Sequence, residues 1–142
     1  MKKIIICILS VFLVIICIVS YSIYQKNENI AQIGADNKVY ESYYKKEVLG
    51  TDIISLINKA TDSNEKNGVE VDKDGNYIEN GKNSIRVEIK FKKLEKVITM
   101  ERINNIGIEK FWSNYGALSF KCTKIDYHEK THKFKYMYFE EI

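Results

Sequence analysis

At 142 residues, 45% of them hydrophobic, the chain holds enough apolar material for a single domain of ordinary size. Its net charge of +3, from 22 Lys and Arg against 19 Asp and Glu, lacks the basic excess that binders of nucleic acid or anionic lipid carry. Cys7 and Cys17 fall in an apolar run and Cys122 stands alone, which excludes an intramolecular disulfide framework.

Lys2 and Lys3 open the chain, and the run from Ile4 to Tyr24 that follows contains no charge. As a helix it spans ~31 Å, about the thickness of a bilayer core. Its only polar side chains are Ser, Tyr and Cys, so it lacks the polar stripe of a soluble surface helix. Tyr21 and Tyr24 are placed for the headgroup level, where amphipathic rings are favoured. Residues 1–24 are therefore expected to be a cytoplasmic tip and transmembrane signal-anchor, with residues 4–24 in contact with the lipid bilayer. A cleaved signal peptide ending at the small pair Ser20 and Ser22 is the alternative, although its apolar region would be unusually long. The cations precede the run, while the stretch just after it holds Lys26 against Glu28 and Asp36. The positive-inside rule then keeps the N-terminus cytoplasmic and the C-terminal part outside the cell membrane. Ile16 before Cys17 does not fit a lipid-attachment site, which calls for a small residue there.

Residues 25–38 read as a polar neck and 39–142 as one extracytoplasmic α+β domain. Beyond Tyr24 lie 20 Lys and Arg and all 19 acids, a net of +1, so nucleic acid is excluded as a partner. Val39 to Lys46 places Tyr40, Tyr43 and Tyr44 on one face of a helical turn, where packing onto the domain is expected. After an interruption at Gly50, Thr51 reads as the N-cap of a helix with Asp52 in its first turn and Ile53, Leu56, Ile57 and Ala60 as its apolar stripe. Val69 to Ile78 reads as a hairpin turning at Asp74, Gly75 and Asn76. The DKDGN stretch there does not fit an EF-hand, because Gly75 is fourth from Asp72 and the twelfth residue is Ser84. Ser84 to Phe91 alternates, with Ile85, Val87, Ile89 and Phe91 toward the core and Arg86, Glu88 and Lys90 toward water. The string Lys90, Lys92, Lys93, Lys96 reads as a solvated strand edge. Lys96 to Met100 is a short strand and Glu101 to Tyr115 a second helix carrying Ile103, Ile106 and Phe111, ended by Gly116. Leu118 to Tyr127 and Lys133 to Phe139 complete an antiparallel sheet.

The last two strands enclose HEKTH. His128, Glu129 and His132 match HExxH, which in zinc metalloproteases sets two imidazoles on one helical face with Glu as general base. That resemblance covers five residues, and its context opposes it. Both flanks favour strand, Lys130 and Lys133 crowd the histidines, and few residues remain to supply a third ligand. A hairpin loop would instead make His128 and His132 cross-strand neighbours about 5 Å apart, able to share one loosely held metal ion. The expectation is no catalytic residue, no cofactor and no metal, with His128, Glu129 and His132 as the alternative metal set.

The stretches YYKKEVLGTDIISLINKATDSNEKN and TKIDYHEKTHKFKYMYFEEI resemble those of uncharacterised small single-pass membrane proteins of low-GC Gram-positive bacteria. That resemblance implies the same placement and brings no activity with it. The plan of a long apolar helix and a small α+β head is loosely similar to pilins, without their Gly before the run or Glu at its start. The expected role is structural or interactive, within a cell-surface or secretion assembly and with a protein partner at the outer membrane surface. The alternatives are a zinc-dependent hydrolase using HEKTH and a binding protein secreted after signal cleavage. An apolar surface patch around Tyr40, Tyr43, Tyr44 or Trp112 would favour the first.

Overall fold

The computed structural model describes residues 2–92 and 97–142, so Lys93 and Lys96 of the cationic string lie outside the described residues. The chain forms two units, residues 1–35 and 36–142. The first is one helix. Helix α1, Lys2–Glu41, runs through the stretch read as a neck and ends in the second unit. It is long and apolar enough to cross a membrane. The Ser10 and Ser22 hydroxyls donate back to the carbonyls of Cys7 and Ile18, at 2.8 and 2.9 Å, which conceals their polarity from an apolar surrounding.

The second unit is an α+β domain, as expected. It contains β1 (Glu47–Leu49), α2 (Gly50–Lys66), β2 (Arg86–Lys90), β3 (Val97–Thr99), α3 (Met100–Ile106), α4 (Ile108–Tyr115), β4 (Ser119–Tyr127) and β5 (Phe134–Glu141). The strands form one sheet in the order β1-β4-β5-β2-β3. Three of its pairings are antiparallel, and β2 runs parallel to β5, so the sheet is mixed. Strand propensity carried no information on that pairing, which joins residues about 50 apart in the chain, such as Val87 and Met137.

Helix α2 starts one residue before the expected cap. Leu49 takes the cap position, and its N–H donates to the Asp52 carboxylate at 3.2 Å. Gly50 is the first helical residue rather than a break, because its α-carbon lies against α4. A Cβ there would stand 2.2 Å from the Tyr115 carbonyl oxygen. The expected stripe of Ile53, Leu56, Ile57 and Ala60 is buried, joined by Ile54.

The single helix expected over Glu101 to Tyr115 is instead two, broken at Gly107. That residue's φ of 98° is a conformation L side chains avoid. The break turns Ile106 out to solvent while Ile103 and Phe111 stay buried. Gly116 ends α4 in right-handed helical geometry, so its value is space: a Cβ would meet the Trp112 carbonyl oxygen at 2.5 Å.

Helices α2 and α3 pack on one sheet face, and α4 packs against both of them. Val87, Ile89, Phe120, Met137 and Phe139 fill the layer between, each fully buried. Phe91 adds edge-on contacts with Phe111 and Phe120, at centroid distances of 6.2 and 5.5 Å. Tyr40, from the last turn of α1, stacks on Phe134 at 4.0 Å, while Tyr43 and Tyr44 lie half-buried against the same core. Val69 to Ile78 forms the expected turn with a single antiparallel bridge, Val71 to Tyr77.

Candidate functional site

The HEKTH segment is a turn between β4 and β5, so the helical spacing that a zinc protease needs does not form. The His128 N–H donates to the Lys133 carbonyl and the His132 N–H to the His128 carbonyl, both at 2.9 Å. His132 takes a left-handed φ of 55° to close the turn.

The side chains then part. His128 is buried, with Nε2 donating to the Ser84 carbonyl at 2.8 Å, while Glu129 and His132 are exposed. A carbonyl can only accept, so Nε2 holds a proton and offers no lone pair to a metal. The alternative in which the two imidazoles pair across the strands and share a metal ion therefore does not form. Among the described residues, no group of three or more His, Cys, Asp or Glu could hold a metal ion.

His128 instead locks two loops together. Asn80 organises the first, its Oδ1 accepting from the backbone N–H groups of Lys82, Asn83 and Ser84 at 3.0, 3.0 and 3.1 Å. The Thr131 hydroxyl adds a 2.6 Å bond to the Lys82 carbonyl. Two further side-chain amides act like short strand segments. Asn64, fully buried on α2, accepts from the Ile85 N–H at 2.7 Å and donates to the Ile85 carbonyl at 2.8 Å. Asn37, on the last turn of α1, treats the start of β5 likewise, accepting from Phe134 N–H and donating to the His132 carbonyl, both at 2.8 Å. Neither amide was legible beforehand, since an isolated polar residue in a helix reads as a solvated one.

Beside this lock lies a polar cleft of about 210 Å³, lined by Tyr77, Glu79, Arg86, Lys124, Asp126, Lys135 and Tyr136 among others. Its charges are matched. Lys135 pairs with Glu79, Lys124 with Asp126 at 3.0 Å and Arg86 with Glu88 at 3.1 Å, and the Tyr136 hydroxyl donates to Glu88 at 2.8 Å. Burial, followed by that bond to Glu88, pushes the Tyr136 phenol well above its ordinary range. A cleft so internally neutralised has little electrostatic preference for an ionic ligand. The Asp72 carboxylate of DKDGN is likewise occupied, accepting from the N–H groups of Asp74 and Asn76 at 2.9 and 2.8 Å; those bonds, Asn76's first, hold its pKa down.

The remaining expectation concerned aromatic patches. Tyr40 is buried, but Trp112 is 60% exposed and borders an open groove of about 480 Å³ with Leu49, Ala117 and Leu118. Cys122 is buried, and burial pushes its thiol up to about 11.

Compared with protein-family models, curated protein sequences and solved structures, the chain matches none.

Proposed function

We propose that the chain is a single-pass membrane protein whose N-terminal helix remains in the bilayer as a signal-anchor. Its N-terminus lies in the cytoplasm, and its α+β domain serves as a structural or interaction module outside, in a cell-surface or secretion assembly. The observation that carries this reading is the condition of α1. From Ile4 to Tyr24 its large hydrophobic side chains are 51–68% exposed around the whole circumference of the helix. Lipid is the surrounding that removes such a surface from water.

The exposed Trp112 beside Leu49 and Leu118 supports an interaction role, because an aromatic flanked by apolar side chains is a common anchor at protein interfaces. The resemblance to small single-pass proteins of low-GC Gram-positive bacteria supports the same placement. The zinc-hydrolase reading has no helix at HEKTH to stand on. A secreted binding protein keeps the same domain and differs only in losing the anchor.

Alkaline carbonate extraction of membranes, followed by the intact mass of the extracted chain, tests the proposal. Retention in the pellet at a mass that includes residues 1–24 is expected. A soluble chain lacking them would replace the anchor with a secreted protein.

A further inference from the structure

The helices of the domain cover one sheet face, and the other carries an ordered charge pattern. Strand register puts Glu47, Lys121, Glu140 and Lys90 in one line, a residue from each of the adjacent strands β1, β4, β5 and β2. Glu47, Lys121 and Lys90 are exposed and Glu140 is half-exposed. The signs alternate along the line: negative, positive, negative, positive. Among the described residues none of these four closes an ion pair within 4.0 Å, whereas Lys124 with Asp126 and Arg86 with Glu88 do so along their own strands. The next line pairs Lys124 with Tyr138, and Tyr138 and Tyr136 put half-exposed rings near the middle of the face.

A line of alternating sign is its own complement when reversed. A two-fold axis parallel to the strands, running above the face between β4 and β5, reverses it. That operation lays Glu47 over the partner's Lys90 and Lys121 over the partner's Glu140, each contact occurring twice. Face-to-face sheets cross at about 30°, so the pairs next to the axis, Lys121 with Glu140, hold register best.

We propose that this sheet face is an isologous interface between two copies of the chain, centred on Lys121 and Glu140. The inference goes beyond the placement proposed above and holds whether or not the N-terminal helix is retained. Relief of charge within a single sheet would also favour alternation, and the two accounts differ in what restores a broken pattern.

Two differently tagged full-length copies, co-expressed and extracted in mild detergent, provide the test. Wild-type copies co-purify, and salt weakens the association. K121E paired with itself, or E140K with itself, sets like charges together at both central contacts and reduces co-purification ~10-fold or more. K121E paired with E140K restores opposite charges between copies and recovers association. One chain carrying both changes reads negative, negative, positive, positive, still complementary on reversal, and co-purifies with itself although alternation within its own sheet is gone. The proposal is overturned if wild-type copies do not co-purify, if either single variant still pairs with itself, or if the mixed pair fails to recover.

Discussion

His128→Ala separates a structural imidazole from a ligand. The substitution removes the donor that satisfies the buried Ser84 carbonyl, at a cost of ~1–3 kcal/mol, and leaves a void beneath the turn. A total loss of about 3 kcal/mol, at ~4 °C per kcal/mol for a domain of this size, lowers the melting midpoint by ~12 °C. Calorimetry of the detergent-solubilised chain follows the domain transition, with zinc or EDTA added in parallel. The expected result is a large fall on substitution and no response to either additive, because the imidazole is buried and, among the described residues, belongs to no group of three or more His, Cys, Asp or Glu that could hold a metal ion. A zinc-dependent rise in midpoint that disappears in His128→Ala would refute this reasoning and revive HEKTH as a metal site. A fall of less than ~3 °C would refute the lock itself.

Asn64→Leu strands both the N–H and the carbonyl of buried Ile85, so it costs ~2–4 kcal/mol, more than an exposed control such as Asn67→Leu, as denaturant titration would register. Gly50→Ala drives a methyl group into the Tyr115 carbonyl and lowers the midpoint sharply, whereas Gly107→Ala has open space and bears only the strain of its backbone conformation, ~1–3 kcal/mol. The Cys122 thiol, pushed up to about 11 by burial, reacts with maleimide at neutral pH only after denaturation. Tyr40 and Tyr127 are both pushed up to about 12, mainly by burial, with Asp36 and Glu41 respectively adding to the shift. A raised folded pKa gives stability that is intact below the ordinary phenol value and lost as pH rises through the folded one. The domain should therefore lose stability between about pH 10 and 12, with tyrosinate absorbance appearing as it unfolds.

Local periodicity made much of this domain readable. The stripe of α2 and the alternation of β2 are amphipathic patterns at the helix and strand periods, and both meet the core as those periods require. What escaped was set at a distance or by backbone conformation. The parallel pairing of β2 with β5 depends on where distant segments meet. Gly107 and Gly50 were visible as residues, but whether a glycine supplies a left-handed φ or room for a neighbour is decided by the fold. At HEKTH the strand-like flanks correctly pointed away from a helix. The inward turn of His128 could not be read, because its acceptor, the Ser84 carbonyl, is 44 residues away.

The central claim is that a membrane helix holds this domain outside the cell. Lys130, exposed on the β4–β5 turn, is the position from which to test it. In a Lys130→Cys chain expressed in its native type of cell, a membrane-impermeant maleimide should label intact cells as fully as permeabilised ones, with the parent chain unlabelled. Labelling that appears only after permeabilisation would put the domain in the cytoplasm and contradict the account.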